Sequence, residues 1–347
     1  MMEKTDSPHA AIAVELLRRA LTAFSLALLC FTVDPAFAQR IKLNVSYSSI
    51  NTDQLPAWAA KEAGIFAKNG LDVQLVYVRP TMSALGLITG DTPIAQTAGT
   101  SIVSSHVQGS DTVMIAGGFV TLNHWLISRP EIKTPQQLKG GAVAVGAIGS
   151  LTDFVARFAL QKIGLVPLKD VSMAAIGAPP DRLLAVETGR AQATVLTPPG
   201  CYIAQKKGFN VLADVAAYNL PYQVTGVATT RKFIEKSPDI VTRYVKSQIE
   251  AVHRLKTDRE FTIRVLTKYF PGLNDRDILE KTYELLVKND KILPPKQYPT
   301  IEGLKTILDT LAEREPKAKR IKPEEIVDLR FVKELDESGL VDRLYKN

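Results

Sequence analysis

Two cysteines and four histidines in 347 residues leave little material for cross-links, thiol catalysis or a metal centre. Cys30 falls in an apolar N-terminal segment, so Cys201 has no second thiol to pair with further along the chain. Stability must therefore come from packing. Flanked by Tyr202 and Ile203, Cys201 reads as a small buried apolar residue. His106 and His253 fall within helical patterns and read as surface or packing residues, which leaves His124. There is no G-x-S-x-G elbow, no G-x-x-x-x-G-K phosphate loop, and no His and carboxylate cluster at metal spacing. The reading is a protein without catalysis, cofactor or metal.

Long apolar runs are also missing. The run Ala20–Val33 is shorter than the ~20 residues a membrane-spanning helix needs. The formal net charge is +7, yet no one-signed patch with interleaved aromatics stands out. Lys281, Lys288, Lys291, Lys296, Lys317, Lys319, Arg320 and Lys322 alternate with acids on helical periodicity, as on a solvated helical surface. Nucleic acid is excluded as a partner on that basis.

What is present begins with an export signal. Arg18 and Arg19 precede the apolar run, and Ala36-Phe37-Ala38 offers small residues for cleavage. The expectation is a signal peptide over 1–38 and a periplasmic product. Leu28 and Leu29 are bulky where lipoprotein processing at Cys30 would want small residues. The roughly 300 residues that follow exceed what one hydrophobic core comfortably serves, so two lobes are expected.

From residue 41, short β-type runs alternate with helical stretches, the pattern of a doubly wound α/β sheet. Ile41–Ser49, Asp72–Arg79, Ile94–Ala98, Asp111–Ala116, Ala142–Ala147, Val171–Gly177, Gln192–Leu196 and Val211–Val215 read as strands. Leu55–Ala67, Thr100–Gln108, Thr152–Ile163 and Asp181–Thr188 carry apolar residues at three- and four-residue spacing and read as helices. A shift of 99 residues superimposes Leu85 on Leu184, Thr89-Gly90 on Thr188-Gly189 and Gly109 on Gly208, so one lobe's logic is repeated. After a strand-like run, Gln223–Thr230, the tail is mostly helical and has no sheet partner of its own. It should pack on the first lobe. The expected division is 39–124 for the first part of lobe 1, 125–222 for lobe 2, and 223–347 for the rest of lobe 1 with the tail. Two chain crossings, near Thr121–Leu126 and Leu220–Thr225, would then form a hinge.

Several ordered motifs carry a resemblance. They are Leu55-Pro56 leading to Ala60-Lys61-Glu62-Ala63-Gly64-Ile65-Phe66, Gly70-Leu71-Asp72-Val73, Arg129-Pro130-Glu131-Ile132-Lys133 and Leu138-Lys139-Gly140. Gly149-Ser150 with Asp153, Ile163-Gly164-Leu165, Asp170-Val171 and Thr197-Pro198-Pro199 continue the series. The chain resembles the solute-binding proteins of ABC importers for sulfonates, nitrate, taurine and thiamine precursors. That resemblance implies the two-lobed type II periplasmic-binding fold, and capture of a small, possibly aromatic, organic anion by hinge closure. It also implies an ABC permease with its ATPase as partners to a monomer. The alternatives are a thiamine-precursor binding protein, a synthesis protein of the same fold, whose His- and Cys-rich surroundings are not seen here, or a ligand-sensing module feeding a receptor.

In open α/β sheets ligands bind outside the carboxyl ends of the strands, which selects a set of turns. Ser49, Asn51 and Thr52 lie in the first, Arg79 and Thr81 in the second, Thr100 and Ser101 in the third. Gly149, Ser150, Leu151 and Thr152 form another, Arg182 a fifth, and Thr197 with Pro198 the last. The resemblance implies that Ser49, Thr100, Ser101, Ser150 and Thr152 donate hydrogen bonds to the ligand. Ser150 and Asp153 are spaced as a capping box, and free N–H groups at such a helix start favour an anion. Arg79 and Arg182 would pair with a carboxylate or sulfonate. Asn123, His124 and Trp125 sit at the first crossing, where the Trp125 ring either stacks on the ligand or packs beneath the hinge.

Overall fold

The computed structural model describes residues 40–346, so the expected signal peptide and Cys30 lie outside the described residues. Among them no helix is long and apolar enough to cross a membrane. Ten strands form two five-stranded sheets. The first sheet takes β1 (Ile41–Tyr47), β2 (Leu71–Tyr77), β3 (Ile94–Thr97), β4 (Thr112–Ala116) and β10 (Gly226–Thr230), in the order β2-β1-β3-β10-β4. The second takes β5 (Trp125–Ser128), β6 (Ala142–Val145), β7 (Ser172–Ala175), β8 (Ala193–Leu196) and β9 (Asn210–Asp214), in the order β7-β6-β8-β5-β9.

The two orders are the same arrangement used twice. Three parallel strands are followed by one inserted antiparallel strand and an edge strand, with β10 and β5 as the insertions. Each insertion shifts register against its edge partner, at Val227/Ala228 and at Leu126/Ile127. The 99-residue echo maps β3 onto β8. It also explains its glycines: Gly90 and Gly189, at φ 83° and 80°, close equivalent helices in the left-handed region that side chains resist.

Local chemistry accounts for the strands. In β1 the buried Leu43 and Val45 alternate with exposed Lys42 and Asn44, since successive side chains point to opposite faces. β3, β4, β8 and β10 are buried throughout, as short apolar runs covered by helices on both sides should be. β5 is the correction. No strand was expected at Trp125–Ser128, whose first two residues fell in the expected crossing Thr121–Leu126, yet it is the inserted strand of the second sheet.

The chain passes between the sheets twice, between β4 and β5 and between β9 and β10. The passages run side by side, with Tyr222 N donating to Val120 O at 3.1 Å and Val224 N to Phe119 O at 2.9 Å. The helical tail packs on the first sheet's side. The helix Pro238–Thr257 joins the segment before β2 through Asn69 Nδ2 to Glu250 Oε2 at 2.7 Å. Trp58, fully buried in the helix Leu55–Glu62, stacks on Tyr269 of the helix Arg259–Tyr269, with centroids 4.3 Å apart.

Candidate ligand-binding site

A cavity of about 640 Å³ opens where the carboxyl ends of the parallel strands from both sheets meet. Ser49 and Asn51 reach it from the turn after β1, Arg79 and Thr81 from the turn after β2, and Thr100 from the turn after β3. Ser150, Leu151 and Thr152 come from the turn after β6, and Arg182 from the helix Pro179–Glu187. His124 and Thr225, each the residue before an inserted strand, complete the wall. Thr225 was not among the expected residues, but the repeated topology gives it the place that His124 has in the other half.

Other expected positions are elsewhere. Ser101 and Gly149 line an adjoining cleft of about 560 Å³ beside Arg314. Thr52, Asn123, Trp125, Thr197 and Pro198 are not in the cavity wall, and their hydrogen bonds or packing say why. Thr52 Oγ1 donates to Pro198 O at 2.8 Å, so each occupies the other across the two halves. Asn123 is fully buried and spends its amide on Asp53 Oδ1 at 3.0 Å. The Trp125 ring points from β5 toward Tyr202, 6.1 Å away, in a small apolar cluster with Leu196 and Cys201. Buried Thr197 uses its carbonyl to accept from Cys201 N at 3.2 Å.

The capping-box reading also needs correction. Ser150 Oγ donates to Ala147 O at 2.7 Å and makes no cap bond. Asp153 Oδ2 accepts from Gly149 N at 2.9 Å, while Oδ1 takes Arg157 Nε at 2.9 Å. Thr152 Oγ1 accepts from Gly146 N at 2.8 Å and ties the turn to the end of β6. The loop is thus self-supported, and the first-turn N–H groups of the helix Leu151–Lys162 have no acceptor within the helix.

Three titratable groups set the electrostatics. Arg182 is 4% exposed and donates Nε to Thr194 Oγ1, Nη1 to Gly177 O at 2.8 Å and Nη2 to Val195 O at 3.2 Å. Every partner is neutral. No carboxylate lies within 4.0 Å, so a buried positive charge stands at the cavity without a counter-ion among the described residues. Burial pulls its pKa down to about 10, partly offset by Asp181, and it stays charged at neutral pH. His124 is pushed down to about 3 by burial and by Arg182, so its imidazole is neutral. Neither ring nitrogen has a hydrogen-bond partner among the described residues.

Asp53, which the sequence reading passed over, is the third. It is 1% exposed and lines the cavity beside Gln54. Burial raises its pKa from 3.8 to about 6, against the hydrogen bonds from Asn123 and Asn51. A carboxyl raised in the folded state binds more protons there than unfolded, so stability falls as pH climbs from about 4 to 6. The difference is about 3 kcal/mol. Asp53→Asn should remove that component, so the gap in Tm between variant and wild type should widen in the variant's favour from pH 4 to pH 7. A gap independent of pH in calorimetry would contradict it.

A family model described as NMT1/THI5 like matches residues 51–256. The chain belongs to the NMT1/THI5-like family. A comparison with curated proteins found no match. Among solved structures, a protein of Bordetella bronchiseptica RB50 is similar at 20% identity and TM-score 0.73, covering 87% of this chain and 98% of that one. The alkanesulfonate-binding protein SsuA of Xanthomonas axonopodis pv. citri, bound to MOPS, is similar at 17% identity and TM-score 0.67, with coverages of 84% and 99%. The periplasmic nitrate-binding protein NrtA of Synechocystis PCC 6803 is similar at 12% identity and TM-score 0.66, with coverages of 89% and 92%. The fold is that of type II periplasmic binding proteins, as the motifs implied.

Proposed function

We propose that the protein captures a small organic anion in the cavity between its two halves and presents it, outside the cytoplasmic membrane, to the permease of an ABC importer. The observation that carries this is Arg182, a buried guanidinium bonded to two carbonyls and a hydroxyl and to no carboxylate. Leaving a charge buried and unpaired costs several kcal/mol, and an anion in the cavity recovers that cost. Two of the five guanidinium N–H groups remain for it. Thr100 adds a hydroxyl, and two helix starts open on the same space, where the helix dipoles also favour negative charge. The expected donation from Ser150 and Thr152 is not available, because their hydroxyl protons are spent on Ala147 O and on Ser150 Oγ.

Proteins of similar fold that bind an alkanesulfonate or nitrate support a binding reading. Cys201, the cysteine of the described residues, is buried away from the cavity with its thiol pushed up to about 12, unsuited to nucleophilic attack. Transport follows if the two halves close over the ligand about the paired passages between β4 and β5 and between β9 and β10.

A thermal-shift screen of sulfonates, aromatic carboxylates, nitrate and pyrimidines tests the ligand class. A ligand at 100 times its Kd adds about 2.7 kcal/mol to stability. The expected result is a rise in Tm with one or more organic anions and none with neutral pyrimidines. A rise with pyrimidines alone would sink the anion reading. Closure is read by small-angle scattering, in which the same anion should reduce the radius of gyration.

A further inference from the structure

Charge in the cavity has two signs. Lining the same cavity as Arg182 is Asp53, a buried carboxylate with no cation within 4.0 Å among the described residues. Its only side-chain partners are amides: Asn51 Nδ2 donates to Oδ2 at 2.8 Å and Asn123 Nδ2 to Oδ1 at 3.0 Å. Each carboxylate oxygen keeps accepting capacity. Next to it, Gln54 gives its amide to Ser49 Oγ at 3.1 Å, and its Oε1 is buried with no partner among the described residues. Ser49 Oγ in turn donates to Asn51 Oδ1 at 2.6 Å.

The direction of these bonds matters. Along the run Gln54, Ser49, Asn51, Asp53, each residue donates to the next, and the run ends on a carboxylate whose oxygens keep accepting capacity. Arg182, in the wall of the same cavity, has two N–H groups left over. No ion pair joins the two charges, and a cavity of about 640 Å³ has room for a ligand that reaches both. A plain anion such as nitrate would satisfy Arg182 and leave Asp53 and Gln54 Oε1 facing nothing, at a desolvation cost of its own.

We propose that the ligand is zwitterionic, with an acidic group for Arg182 and an ammonium or similarly N–H-rich cationic nitrogen for Asp53 and Gln54. This rests on the anion reading above and narrows it. Asp53 then selects: it repels anions that lack the cation and pairs with those that have it.

Matched probes that differ only in the amine provide the test, measured by isothermal titration at pH 7.5. The pairs are 2-aminoethanesulfonate with ethanesulfonate, 4-aminobutyrate with butyrate, and 4-(aminomethyl)benzoate with 4-methylbenzoate. In the pair that binds, the amino member should be tighter by tenfold or more, and Asp53→Asn should shrink that ratio to below about threefold. A plain acid that binds as tightly as its amino partner overturns the zwitterion and leaves the anion site standing. A ratio that persists in a folded Asp53→Asn does the same. If no acid of either kind binds, the anion reading fails and this inference with it. The wild-type ratio decides the matter even if the variant does not fold.

Discussion

Arg182→Met should cost at least a hundredfold in affinity for any anion the cavity binds. The methionine fills similar volume but removes the one buried charge that an anion can meet. Truncating one partner of a buried, hydrogen-bonded charge pair typically costs about 2–5 kcal/mol, and 2.7 kcal/mol is already a hundredfold. The same change strips three hydrogen bonds from Gly177 O, Val195 O and Thr194 Oγ1. It also removes a buried charge that no carboxylate within 4.0 Å balances, so the stability effect is the small difference of two opposing terms. Affinity and stability therefore separate. Titration should show weakened binding in a protein whose Tm lies within several degrees of wild type, and unchanged affinity would remove Arg182 from the site. Arg182→Lys should recover only part of the loss, because an ammonium cannot hold both carbonyls and an anion in one plane.

Trp58→Ala should be the most destabilising single substitution of this set, by about 3–5 kcal/mol. The ring is fully buried. It stacks on Tyr269, meets Tyr47 edge-on with centroids 6.0 Å apart, and meets Phe270 edge-on at 6.2 Å. It thereby joins three parts of the chain that are far apart in sequence: β1, the first helix and the C-terminal tail. Losing the ring leaves a cavity that a helix fixed on both sides cannot collapse to fill. Denaturant unfolding should show a lower midpoint with little change in slope. A cost below 1 kcal/mol would mean that the tail docks without it.

Much of this architecture was legible because its signals are local. Apolar periodicity and Gly-terminated helices marked most strands and helices to within two or three residues, and the 99-residue echo anticipated two halves of one design. What escaped notice was not local. β5 is four residues long and becomes a strand only because β8 and β9 lie on either side of it. The cavity is a matter of direction as much as position. Strand alternation sends Trp125 toward Tyr202, while His124, one residue earlier, faces the opening. Asp53 was passed over in the sequence. Only the fold reveals that it is buried, because Asn123 and Thr225, from segments distant in sequence, enclose it together with the neighbouring Asn51. Arg182 was readable as a candidate from its turn, but the absence of an ion pair to it among the described residues was not.

The inserted strands also bear on how the chain is made. Every strand of the second sheet lies between Trp125 and Asp214, so that sheet holds all its components once that stretch has emerged. The first sheet does not. Its β3, at Ile94–Thr97, must wait for β10, at Gly226–Thr230, before it gains its neighbour on that side. Long-range pairing of this kind is slow, because the loop must close before the contact rewards it. The half that is begun first is completed last, and until then β3 and β4 present unpaired edges to any other chain nearby. A chain with this topology gains from being held unfolded until β10 has been delivered.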